Sequence, residues 1–165
     1  RLLFFTDGGM AIAPDLEMKR LLLENALTAL RAMGIPAPKV AVLTANELVN
    51  PKMPATVDAA ALAELAQAGA FGDCLVEGPV SMDVALDCEA AERKGLQSRI
   101  CGRADLFLLP NIEAGNILGK ALVHFAGARM AGIVLGASYP IVMTSRAESA
   151  RGKLDSIALA CLGVR

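Results

Sequence analysis

Ser145 and Arg146 form the pair in this chain best suited to polar chemistry. They follow an apolar run, Pro140 to Met143, that reads as a strand. A guanidinium fork beside a hydroxyl, just past a buried strand, suits bidentate recognition of a phosphate or carboxylate. The helix that starts near Ser149 adds backbone N–H groups with the same preference for anions. A plainer reading has Arg146 tie down Glu148. A second polar group, Asn111, Glu113, Gly115 and Asn116, follows the apolar run Leu106 to Leu109 and the strand-ending Pro110. Asp7, before Gly8-Gly9 at the end of another short apolar run, is a third candidate. Asp83, on the segment opened by Ser81, is a fourth. If these belong to one site, Ser145 and Arg146 face the Asn116 turn across a shared anion-binding hollow.

Other chemistries lack their residues. With one histidine, His124, set among Leu122, Val123 and Phe125, and no G-x-S-x-G elbow, a hydrolase triad is disfavoured. Gly8-Gly9 stands outside any G-x-G-x-x-G pattern and has no P-loop lysine.

The elements that would position these residues alternate. Leu2 to Phe5, Val40 to Leu43, Cys74 to Val76 and Leu106 to Leu109 read as short strands apolar on both faces, as in a buried parallel sheet. Between them, Pro14-Asp15 opens a helix to about Met33 that Gly34 stops, and Asp58 opens an alanine-rich helix to about Ala68. The third strand, Cys74 to Val76, leads into Glu77-Gly78-Pro79, and Ser81 caps a helix that ends at Gly95. Asn111 caps a helix whose apolar stripe is Ile117, Leu118, Ala121, Leu122 and Phe125, with Glu113 in its first turn. Ala131 to Leu135 and Pro140 to Met143 have no helix between them and are expected to pair as an antiparallel edge. A last helix spans about Ser149 to Leu162. The fold class is therefore α/β: a mainly parallel, three-layer sheet with helices on both faces and right-handed crossovers. In such sheets ligands bind at the carboxyl ends of the strands.

A chain of 165 residues makes one domain, or a domain plus a fragment. A net charge of −1 and a pI near 5.9 offer nothing for nucleic acid or an anionic membrane. Mean hydropathy is high, +0.49, but no apolar run approaches the roughly 20 residues of a membrane span. The excess points to a buried sheet and an oligomer interface. Cys74, Cys88, Cys101 and Cys161 show no C-x-x-C spacing and read as free thiols in a reducing cytosol, with no metal site. The chain opens on Arg1-Leu2-Leu3-Phe4 without an initiator methionine or signal peptide, which reads as a piece of a longer protein.

Val42 to Leu62, Glu77 to Leu86 (EGPVSMDVAL), Gly102 to Ala128 (GRADLFLLPNIEAGNILGKALVHFAGA) and Pro140 to Ala160 (PIVMTSRAESARGKLDSIALA), with DGGMAIAPDLEMK near the start, together carry a resemblance. In that order, covering nearly the whole chain, they resemble the phosphate acetyltransferase and phosphate butyryltransferase family. The N-P-K-M-P loop and S-R-A-x-S tail are closer to the butyryl-type branch. The resemblance implies reversible acyl transfer between coenzyme A and inorganic phosphate, with acyl-CoA as substrate and no cofactor required. It also implies a two-domain fold like that of isocitrate and isopropylmalate dehydrogenases, a cleft active site, and a cytoplasmic homodimer or larger homo-oligomer. Residues 1–145 would form one α/β domain, and 146–165 a terminal helix returning to an absent N-terminal half.

By the same resemblance, Ser145 and Arg146 are catalytic, the arginine holding phosphate or the thioester carbonyl. Asn116, Gly115, Glu113, Asp7 and Asp83 are then candidates for phosphate and CoA binding. Acetyl-type members are assigned an aspartate base on the following helix. The matching turn here reads Arg151-Gly152-Lys153, and Asp155 lies out of register as a weak candidate base. A dehydrogenase of similar architecture and a non-catalytic regulatory or assembly domain are the competing readings.

Overall fold

The computed structural model describes residues 2–162. Arg1 and residues 163–165, part of the two expected domain segments, lie outside them. Four strands, β1 (Phe4–Thr6), β2 (Lys39–Leu43), β3 (Leu75–Val80) and β4 (Leu106–Leu108), form one parallel sheet in the order β1-β4-β2-β3. The register pairs Phe5 with Phe107 and Ala41 with Phe107, so β4 is central.

Side chains alternate across this sheet, and each face buries its own core. On one side Val40, Val42, Leu106 and Leu108 meet Leu23, Leu27 and Leu30 of α1 (Leu16–Ala32) and Leu62 of α2 (Pro54–Gln67). On the other, Ala41, Leu43, Phe107 and Leu109 meet Val84 of α3 (Met82–Leu86), Ala91 of α4 (Cys88–Arg93) and Leu118 of α5 (Ile112–Ala126). Complete burial of a leucine or phenylalanine of this kind contributes roughly 1.5–3 kcal/mol. The three layers follow from strands apolar on both faces.

Local chemistry sets the helix ends. Asp15 caps α1 by accepting from Met18 N. At its other end Gly34 N donates to Arg31 O and Ile35 N to Leu30 O, the paired bonds of a Schellman stop. Lys19 of α1, buried, is joined to Asp58 of α2 at 2.6 Å.

Six expectations are corrected. Helix α2 begins at Pro54, not Asp58, because proline at a first helical position forfeits no bond. Strand β3 runs on through Gly78-Pro79 to Val80; β3 is an edge strand, so the missing proline N–H breaks no ladder. The segment from Ser81 to Gly95 is two helices, broken at Asp87, which is extended (φ −135°, ψ 120°) and caps α4 through Glu89 N. Strands β5 (Ile133–Val134) and β6 (Ile141–Val142) are antiparallel but make a separate two-stranded sheet. Gly132 N, just before β5, is satisfied by Ser156 Oγ of α6 (Ala150–Leu162) rather than by a fifth strand. The stripe expected to bury α5 is partly turned outward, with Ile117 67% and Phe125 91% exposed, and its fully buried positions are Gly115 and Gly119. Finally, Cys88 and Cys101 form a disulfide, leaving Cys74 and Cys161 free.

Candidate functional site

Strands β1 and β4 are neighbours, so their carboxyl ends open side by side. Leu109 N donates to Thr6 O at 2.7 Å and Ile112 N to Ile12 O at 3.1 Å, fastening the turn after β1 to the start of α5. Within that turn Asp7 Oδ1 accepts from Gly9 N (2.6 Å) and Met10 N (2.9 Å), and Oδ2 from Ala11 N (3.2 Å). Consecutive amides of this kind make an anion-binding nest. Here the chain's own carboxylate occupies it, so Asp7 shapes the loop.

Asn111 caps α5 through Ala114 N (2.9 Å). Gly115 touches the Asp7 turn so closely that a Cβ there would stand 2.5 Å from Asp7 O and 2.6 Å from Gly8 Cα. Glu113 and Asn116, in the first turns of α5, are exposed. Met143, just past β6, reaches the same place: its Cε lies 2.7 Å from where a Gly9 Cβ would stand. Ser145 Cα is within about 7 Å of Met143 Cα, since two residues span no more. The turn after β1, the start of α5 and the segment after β6 therefore meet.

Ser145 O accepts from Glu148 N (3.0 Å), and Ser145 Oγ from Ala147 N (3.3 Å), folding the chain at Arg146. Arg146 is exposed and, among the described residues, makes no ion pair, so the pairing with Glu148 is not formed. The Glu148 carboxylate instead turns over α6. Its Oε1 accepts from Ser149 N (2.9 Å) and Ser149 Oγ (3.1 Å) and fills the space beside buried Gly152.

Two candidates lie elsewhere. Asp155 is gripped by Arg129, Nε at 3.0 Å from Oδ2 and Nη2 at 2.6 Å from Oδ1, with Arg151 Nε at 3.4 Å. The Arg129 guanidinium holds the Asp155 carboxyl below its ordinary range. Asp83 follows β3, on the sheet edge opposite β1, roughly 14 Å away at three strand spacings. It joins a cluster that sequence reasoning missed. Lys94 Nζ donates to Glu47 Oε1 (2.8 Å), Ser81 Oγ (3.0 Å) and Asp83 Oδ1 (3.1 Å), and the Ser81 hydroxyl also contacts both carboxylates. Bonds from Lys94 and then Ser81 bring Asp83 down to about 2 and lower Glu47 as well. Lys94 and Glu47 are 47 residues apart on different elements, and no local pattern connects them. His124 is exposed on α5, away from the Asp7 turn in sequence and without a hydrogen bond among the described residues.

The fold is a parallel α/β unit in which the glycine-lined turn after β1, the start of α5 and the segment after β6 meet. The phosphate acetyl/butaryl transferase family profile matches residues 1–161, and the chain belongs to that family. It is 51% identical over 160 residues to a probable phosphate butyryltransferase of Bacillus subtilis, covering 97% of this chain and 54% of that protein. It is 47% identical over 162 residues to a phosphate acetyltransferase of Thermotoga maritima, covering 98% of this chain and 55% of that protein. A branched-chain phosphotransacylase from Enterococcus faecalis superposes with a TM-score of 0.88 at 36% identity, over 98% of this chain and 58% of that one. The chain thus spans about half the length of the curated relatives it matches.

Proposed function

We propose that this chain is the C-terminal half of a phosphate acyltransferase that moves an acyl group between coenzyme A and inorganic phosphate. The observation that carries this reading is Arg146: a guanidinium beside Ser145 with no ion pair among the described residues, on the segment that Met143 seats against the Gly9 turn. Residues 1–145 supply one wall of a cleft in an isocitrate and isopropylmalate dehydrogenase-like two-domain enzyme, and the helix from 146 returns to the other wall. The assembly is a cytoplasmic homodimer or larger homo-oligomer.

Phosphate attack on a thioester builds negative charge on the carbonyl oxygen and brings an anion to an electron-rich centre. A guanidinium fixed in advance offsets both, and loss of one such donor costs roughly 3–4 kcal/mol. Glu113, Gly115 and Asn116 line the α5 side of the hollow. Asp7 holds its floor, and Asp83 supports the β3 edge at a distance. Asp155, held by Arg129, is a structural tie and not the base. The reaction consumes no reducing equivalent, and CoA enters as substrate.

The test uses the full-length protein. Acetyl-CoA or butyryl-CoA with phosphate should release free thiol, followed with a chromogenic disulfide, in a phosphate-dependent manner. Arg146→Ala should lower turnover by on the order of 100-fold or more. The reading fails if no phosphate-dependent release occurs, or if the variant turns over like the wild type.

A further inference from the structure

We infer that Glu148 exchanges the proton of the CoA thiol; this rests on the acyl-transfer reading above. In the direction that makes thioester, the thiol must lose a proton as sulfur attacks. A positioned carboxylate lowers that barrier when it has a lone pair aimed at the reacting group.

The candidate carboxylates divide by what already holds them. Asp7 accepts three backbone N–H groups. Asp155 accepts a guanidinium fork. Glu148 is two residues from Arg146 and, among the described residues, accepts only from Ser149, its N–H and hydroxyl both reaching Oε1. Its Oε2 makes no hydrogen bond among the described residues. The placement depends on Gly152: the three heavy atoms nearest to a Cβ built there all belong to Glu148, with Cγ at 2.9 Å. A side chain at residue 152 and the Glu148 carboxylate compete for one volume, and glycine gives it to the carboxylate. Glu148 also stands at the amino end of α6, where negative charge is favoured.

The step balances. The CoA sulfur bonds to the acyl carbon, the S–H proton passes to Glu148, the bond from carbon to the phosphate oxygen breaks, and phosphate leaves with that electron pair. Arg146 faces the charge on the departing phosphate. In reverse, protonated Glu148 returns the proton to the leaving thiolate.

The experiment compares full-length wild type with Glu148→Gln, Glu148→Ala, Gly152→Ala and Glu64→Gln, measuring kcat and KM from acyl phosphate and CoA together with Tm. Glutamine keeps an acceptor for Ser149 but not the base, so its kcat should fall roughly 100-fold or more with KM and Tm near wild type. Formate should restore part of the activity of Glu148→Ala. Gly152→Ala should lower kcat while the fold holds, since its methyl group displaces only the end of a flexible side chain. Glu64→Gln, which changes an exposed carboxylate on α2, should keep its kcat. The inference is overturned if Glu148→Gln stays within threefold of wild type, if its loss lies in KM or Tm, or if Glu64→Gln loses as much. An inactive wild type overturns the acyl-transfer reading itself, which is a separate result.

Discussion

At Gly115, an added Cβ would press on Asp7 O at 2.5 Å and Gly8 Cα at 2.6 Å, both backbone atoms. At Gly119, one turn later, it would meet Phe5 Cζ at 3.1 Å and Met130 Sδ at 3.2 Å, which are side-chain atoms that can move. Alanine gains about 1 kcal/mol over glycine in a helix interior. At Gly115 that gain is set against shifting a turn pinned by three bonds to Asp7, and overpacking of this sort costs about 1–3 kcal/mol. Gly115→Ala is therefore expected to lower the urea midpoint, and Gly119→Ala to lower it less. Paired denaturation curves check this, and a midpoint that rises for Gly115→Ala would show that the turn yields easily. The same close approach brings the Asp7 turn against α5.

The α3–α4 pair carries an ion-pair network that ties Lys94 to Asp83 and to Glu47 of the loop after β2. Asp83 is held at about 2, from an ordinary 3.8, first by the Lys94 ammonium and then by the Ser81 hydroxyl. Because the folded value lies below the unfolded one, this interaction contributes fully above about pH 4 and is lost as pH falls towards 2. Asp83 is well exposed, so solvent screening keeps the contribution small. Lys94→Gln is expected to lower stability at pH 5–7, and the difference from wild type should shrink between pH 4 and 2. Urea midpoints across that range measure it; a constant difference would mean that Lys94 acts by packing alone. Much of the element scale was legible in the sequence. Asp15 and Asn111 as caps, Gly34 as a stop and the doubly apolar strands depend on neighbours a few residues away. What was not legible depends on distant partners. Whether Pro79 ends β3 depends on β3 being an edge, and whether Ile117 is buried depends on what lies beyond α5. The meeting of Asp7 with Gly115 was partly readable, since both follow strands, whereas the seating of Met143 on Gly9 required the whole fold.

At the scale of the molecule, the chain holds a complete two-sided core but about half the length of its relatives, and Ile117 and Phe125 of α5 face outward. The cysteines bear on how that core is held. The composition suggested four free thiols, yet Cys88 at the start of α4 meets Cys101 in the turn before β4, across a separation of 13 residues. The spacing carries no C-x-x-C signal because the pairing is made by α4 and the turn packing on the same face of the sheet, where Ala91 and Ile100 share one core. Closing a loop of this length removes conformational freedom from the unfolded chain, worth roughly 3 kcal/mol by the chain-entropy estimate. Protein unfolded in guanidinium without reductant should therefore titrate two thiols, Cys74 and Cys161, and four after dithiothreitol. Reduction should also lower the Tm of the folded protein, and Cys88→Ser should reproduce the reduced value and become insensitive to dithiothreitol. Four reactive thiols before reduction would show that α4 is held by Ala91, Asp87 and the Lys94 bonds alone.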